Sequence, residues 1–141
     1  DLIIRPFFIA FLFSFFGMSQ NELQTIEIDE LSEVPVYPGC EDIRNKTKCL
    51  QENIHRHIVR NFRYPEEAQK KKIQGRVFVQ FYIGVGGYID NIRARGPHEI
   101  LEKEAKRIIS LLPRFIPGKI GGKGVRVPFS VPISFGLQKN F

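Results

Sequence analysis

The run Val77-Phe78-Val79-Gln80-Phe81-Tyr82-Ile83 alternates at period two, with Val77, Val79, Phe81 and Ile83 on one face and Phe78, Gln80 and Tyr82 on the other. All but Gln80 are β-branched or aromatic strand formers. Gly84-Val85-Gly86-Gly87 follows, and Tyr88-Ile89-Asp90-Asn91-Ile92-Arg93-Ala94-Arg95 reads as a returning strand. A phosphate-binding glycine run opens directly into a helix, whereas these glycines lead from strand to strand and turn the chain. The stretch is therefore a hairpin, and the sheet it starts is antiparallel.

Helices flank the hairpin. Leu50, Ile54, Ile58 and Phe62 recur every four positions between Lys46 and Phe62, with Lys48, Arg56 and Arg60 elsewhere on the wheel, which predicts one packed face and one basic face. Tyr64-Pro65-Glu66-Glu67-Ala68 predicts a second helix, with Pro65 at its first position, two acids in its first turn and Lys70, Lys71 and Lys72 at its negative end. Gly75 ends that turn. On the far side Gly96-Pro97 stops the second strand, Leu101, Ala105, Ile108 and Leu112 mark an amphipathic helix, and Pro113 terminates it.

A third strand is predicted over Val125 to Phe135, where Val125, Val127, Phe129, Val131, Ile133 and Phe135 alternate with Arg126, Pro128, Ser130, Pro132 and Ser134. Residues of one parity send their N–H and C=O groups toward the same edge, and proline cannot donate to a ladder. The odd edge should therefore face the sheet and the even edge should be unpaired, making this an edge strand. The intervening Pro117-Gly118 and Gly121-Gly122 segment reads as a loop.

Composition bounds the rest. The 141 residues suffice for one domain, and 43% apolar with 26% charged residues excludes disorder, collagen and coiled coil. The net charge of +6 is unevenly placed: Gln20 to Asp42 holds seven acids and no Lys or Arg, whereas Ile43 to Phe141 holds twenty Lys and Arg against seven acids, net +13. We expect a signal peptide or short anchor over 1–19, an acidic, extended and mostly solvated leader over 20–45, and a basic domain over 46–141. Arg5, the apolar run Phe7 to Phe16 and the small residues before Gln20 suit a secretory signal cleaved after Ser19. A retained anchor is the alternative, since Leu2 to Met18 is at the lower limit for a span. In an exported chain Cys40 and Cys49 are expected to be oxidised to each other.

Six segments, in their order along the chain, carry a resemblance. Tyr64-Pro65-Glu66-Glu67-Ala68, Ile73-Gln74-Gly75-Arg76-Val77-Phe78-Val79-Gln80-Phe81, Gly87-Tyr88-Ile89, Glu104-Ala105, Leu112-Pro113-Arg114-Phe115-Ile116-Pro117-Gly118-Lys119 and Pro132-Ile133-Ser134-Phe135 resemble the TonB C-terminal domain over Tyr64 to Phe135. Tyr64, Pro65, Gly75, Pro113, Pro117 and Gly118 are its motif positions. Pro35 to Cys40 with Cys49 is similar to the lead-in of TonB-like proteins of the Bacteroidetes type.

The resemblance implies an α+β fold, two to three helices packed on a three-stranded antiparallel sheet, in the periplasm. It implies an energy transducer of transmembrane transport that binds the TonB box, an extended segment of a TonB-dependent outer-membrane transporter, by strand addition. The receiving element would be the last strand: Arg126, Val127, Pro128, Phe129, Ser130, Val131, Pro132, Ile133 and Ser134, with amide donors mainly at Arg126, Ser130 and Ser134. A retained anchor would add an ExbB/ExbD-type proton-channel complex as partner, and a homodimer stays open. The 26-residue leader spans at most about 90 Å, a short tether, so an untethered periplasmic relative is the favoured form.

Two other functional classes fit the sequence less well. A domain of +13 suits an anionic cell-envelope polymer or nucleic acid through Phe78, Tyr82 and Tyr88, but those rings are expected beneath helices, and no nucleic acid is expected as partner. An enzyme is not expected. His55 and His57 diverge on a helix, His98 is remote, and Gly-x-Ser-x-Gly and His-Glu-x-x-His are both missing. No catalytic residue, metal or cofactor is assigned.

Overall fold

The computed structural model describes residues 30–137. The signal or anchor expected over 1–19, and the leader as far as residue 29, lie outside the described residues. Helix α1 (Lys46–Asn61) starts where the Asn45 side chain accepts from the Lys48 amide at 3.0 Å, and it buries Leu50, Ile54 and His57. Helix α2 (Glu66–Lys70) follows Pro65, which sits one residue before the helix rather than in its first turn. Its lysines meet their own acids, Lys70 with Glu66 at 3.2 Å and Lys71 with Glu67 at 2.7 Å.

Strands β1 (Gly75–Ile83) and β2 (Ile89–Arg95) form the hairpin. The register slips between Gln80 and Tyr82, where Asn91 takes a left-handed conformation and gives β2 an extra residue. Helix α3 (Glu99–Ser110) is capped by His98, whose Nδ1 accepts from the Ile100 amide at 3.1 Å. A small hairpin follows, β3 (Lys119–Ile120) and β4 (Lys123–Gly124), and then β5 (Val127–Phe135). The main sheet has the order β2-β1-β5 and is antiparallel throughout. The expected α+β layout is the fold of the described residues, three helices with a three-stranded antiparallel sheet.

The odd face of β1 is the core. Val77, Val79, Phe81 and Ile83 are all fully buried, with Leu101, Ala105, Ile108 and Ile109 of α3 and Leu50 and Ile54 of α1 in the same cluster. Each fully buried side chain of that size contributes about 1.5–3 kcal/mol. The even face of β1 is bare. Phe78 is 53% exposed and Tyr88 62%, which corrects the expectation that helices cover these rings. Both faces carry strand formers, but only the odd set is wholly apolar, and the helical layer packs there.

Three local expectations also change. The leader is not solvated along its length: Val36 and Ile116 exchange two main-chain hydrogen bonds of 2.9 Å, and Lys119 donates to the Glu33 carbonyl at 2.8 Å. Pro35, Val36 and Cys40 are buried as a result. The glycine-rich loop contains the β3–β4 hairpin, turned by Gly121 and Gly122 at φ of 56° and 80°. The last strand begins at Val127, because Val125 donates instead to the Gly118 carbonyl at 2.8 Å. Cys40 and Cys49 form a disulfide, tying the docked leader to the start of α1.

Candidate functional site

Strand β5 pairs with β1 along one side only, and among the described residues no strand pairs with its other side. Val127, Phe129, Val131 and Ile133 stand opposite Ile83, Phe81, Val79 and Val77; Pro128, Ser130, Pro132 and Ser134 stand opposite Tyr82, Gln80, Phe78 and Arg76. The odd side chains share the covered face of the sheet, where Phe129 stacks on Phe81 with ring centroids 6.0 Å apart. Proline has no amide hydrogen, so the even positions are those that turn their main-chain groups away from β1. The outer edge thus offers four carbonyls, at residues 128, 130, 132 and 134, but amide donors only at Ser130 and Ser134.

Arg126 departs from its expected place, since it precedes β5. Its guanidinium donates to Asp90 at 2.8 and 3.2 Å and lies 3.7 Å from the centre of the Tyr82 ring. The side chain ties the beginnings of β5 and β2 together across β1.

The motif positions frame the sheet instead of forming the edge. Tyr64 donates its hydroxyl to the Ile73 carbonyl, and burial raises its phenol above the ordinary value. Gly75 has φ +149°, and a Cβ there would come within 2.4 Å of Pro97. Pro113 follows α3, Pro117 precedes β3, and Gly118 faces Val127 and Pro35 so closely that a Cβ would meet them at 3.0 and 3.2 Å. The histidines do not converge. His57 donates through Nε2 to the Ile108 carbonyl at 2.8 Å, His98 caps α3, and His55 is exposed.

A groove of about 580 Å³ runs between α1 and the end of β5, lined by Ile58, Val59, Phe62, Ile133, Ser134 and Arg76 among others. Val59 is 63% exposed. Its signal in the sequence is an apolar residue off the Leu50-Ile54-Ile58-Phe62 row, which the four-residue periodicity passes over. A second depression of about 450 Å³ lies on the bare sheet face, where Arg93 and Arg95 flank Phe78. Arg76 places its guanidinium carbon 5.8 Å from the centre of that ring.

The family model for the C-terminal part of the Gram-negative bacterial TonB protein matches residues 60–137. Among solved structures, the NMR structure of the Helicobacter pylori TonB C-terminal domain, residues 179–285, superposes with a TM-score of 0.54 at 24% identity, covering 69% of this chain and 89% of that one. The shorter form of the same domain, residues 194–285, gives a TM-score of 0.46 at 26% identity, with 64% and 96% covered. No curated protein sequence matches the chain. Among the described residues no helix is long and apolar enough to cross a membrane. The matched family is a periplasmic, non-enzymatic domain of TonB-type transport that works with outer-membrane transporters. Its match takes in more than half of these 141 residues, from the last turn of α1 through the whole main sheet, and the chain belongs to the Gram-negative bacterial TonB protein C-terminal family.

Proposed function

We propose that this chain binds an extended peptide, the TonB box of an outer-membrane transporter, by adding it as a fourth strand along the outer edge of β5. The observation that carries this reading is the one-sided pairing of β5. Strand addition needs main-chain groups held in register on a rigid sheet, and β5 supplies them while its other side is anchored by nine register pairs to β1. If the segment before residue 20 is retained in the inner membrane, an ExbB/ExbD-type complex completes a force-transmitting device. If it is cleaved, the same edge serves an untethered periplasmic binder, the form we favour. Addition of TonB-box peptides to the 15N-labelled chain should shift the amide resonances of Ser130 and Ser134. No shift at millimolar peptide defeats the proposal.

A second reading, binding of an anionic cell-envelope polymer, is favoured by one observation: Arg76, Arg93 and Arg95 surround the exposed Phe78 on the bare sheet face. It predicts affinity that falls steeply with salt through counterion release. Binding maintained at high salt excludes it.

A further inference from the structure

The outer edge of β5 is a poor ladder on its own. With proline at 128 and 132, it can accept four hydrogen bonds but donate only two. A segment added there draws fewer main-chain bonds than along an ordinary edge, so its side chains must supply more of the binding.

The surroundings of that edge say which side chains these are. In a paired strand, residues standing opposite one another share a face of the sheet. An incoming residue opposite Ile133 would project to the α1 side, where Ile58, Val59 and Phe62 line the groove. Phe62 packs there against Phe135, ring centroids 5.1 Å apart. An incoming residue opposite Ser134 would project to the other face, where Arg76 pairs with Ser134 in the register and also lines the groove. Among the described residues Arg76 forms no ion pair. The α1 side of the edge thus offers mainly apolar walls, and Arg76 supplies a cation from the other side.

Resting on the strand-addition reading, we propose that the β5 edge and the α1 groove together select an extended peptide that alternates apolar with acidic residues. Its apolar side chains fill the space beside Val59, and its carboxylates face Arg76. The ligand class is a segment of about six to eight residues with period-two alternation, the length that matches a nine-residue strand with its ends left over.

Three capped octapeptides test the proposal on the whole 15N-labelled chain: one alternating valine with glutamate, one serine with glutamate, and one valine with lysine. The valine–glutamate peptide should shift Ser130 and Ser134 and bind best. Replacing all its valines by serine should weaken it well over tenfold, and Val59→Gln about tenfold, the scale of one buried valine side chain. Arg76→Gln should erase the preference for glutamate over lysine. Equal affinities of all three peptides, unchanged in Val59→Gln, would overturn the groove while the shifts at Ser130 and Ser134 left strand addition standing. Shifts confined to Val59 and Phe62, with Ser130 and Ser134 unmoved, would overturn strand addition and this proposal together, as would the absence of any shift.

Discussion

Pro132 stands directly opposite Phe78 across the β1–β5 ladder. Neither it nor Pro128, opposite Tyr82, has an amide hydrogen to give, so the pairing with β1 rests on the odd residues and the outer edge lacks two donors. Edge prolines are also a known means of blunting a sheet against self-association. The double variant Pro128→Thr/Pro132→Thr restores both donors without touching the core, because both side chains lie on the bare face. We expect about tenfold tighter binding of the valine–glutamate peptide, from two net hydrogen bonds, and concentration-dependent association by sedimentation velocity. A variant that stays monomeric and binds no better would mean that this edge is not accessible.

The hairpin turn is locked from outside. Gly87 has φ +86° and accepts from the Phe115 amide at 2.8 Å, and a Cβ at Gly87 would lie 1.8 Å from the Phe115 carbonyl oxygen. Gly87→Ala therefore combines a strained conformation with a main-chain collision, and should cost about 4 kcal/mol in urea unfolding. Gly86→Ala is the control: the nearest atom to its Cβ is a Tyr88 ring carbon at 3.6 Å, and stability should change by less than about 0.5 kcal/mol. Equal losses in the two variants would refute the role given to Gly87.

The sequence made the period-carrying parts of this fold legible. Val77 to Ile83, the Leu50-Ile54-Ile58-Phe62 row and the odd residues of β5 each repeat often enough to show their periodicity, and proline parity shows which edge of β5 faces out. Which face of β1 the helices cover was marked by Gln80 alone, since Phe78 and Tyr82 are as good strand formers as Val77 and Phe81. Strands β3 and β4 have two residues each, too few for alternation to appear. Docking of the leader rests on main-chain bonds between Val36 and Ile116, which leave no side-chain pattern. The groove arises from residues of α1 and β5 more than seventy positions apart, so its one trace was the spare Val59.

The Cys40–Cys49 bond closes a loop of about ten residues and should contribute about 2.7 kcal/mol on the loop-entropy model. It also fastens the segment that Val36 and Glu33 dock against Ile116 and Lys119. Reduction, or Cys40→Ser/Cys49→Ser, should lower the melting temperature and speed amide exchange at Val36 and Ile116, while Val79 and Phe81 in the central strand keep their relative protection. Unchanged exchange at Val36 after reduction would show that the leader docks without the covalent tie.

Alkaline stability should follow the tyrosines. Burial holds the phenols of Tyr37 and Tyr64 above the ordinary value of 10.0, with Arg60 partly offsetting this at Tyr37. For groups whose folded values are raised, the stabilisation is complete below the unfolded value and is lost as pH rises through the folded one. The chain should therefore lose stability as pH climbs past 10. Tyr64→Phe removes one of the two groups, so its loss above pH 10 should be shallower, and it should be about 1 kcal/mol less stable near pH 7 for want of the hydrogen bond to Ile73. Urea unfolding from pH 8 to 11 measures both, and identical pH slopes would exclude Tyr64 as a contributor.

Arg107 joins two helices through one guanidinium. It donates to the Glu104 carboxylate at 2.9 and 3.0 Å and to the Asn61 carbonyl, at the end of α1, at 2.6 Å. The hydrogen-bonded Glu104 holds the guanidinium pKa above its ordinary value. Glu104 is 9% exposed, so removing its partner strands a buried carboxylate, whereas the guanidinium is about a third exposed and water softens its loss. Arg107→Met should cost about 2–3 kcal/mol, below the range for a fully buried pair. The double variant Glu104→Met/Arg107→Met exchanges the ion pair for apolar contact beside α1 and should be more stable than Arg107→Met alone, so the cycle is non-additive. Additive losses in urea unfolding would mean that the two side chains act independently.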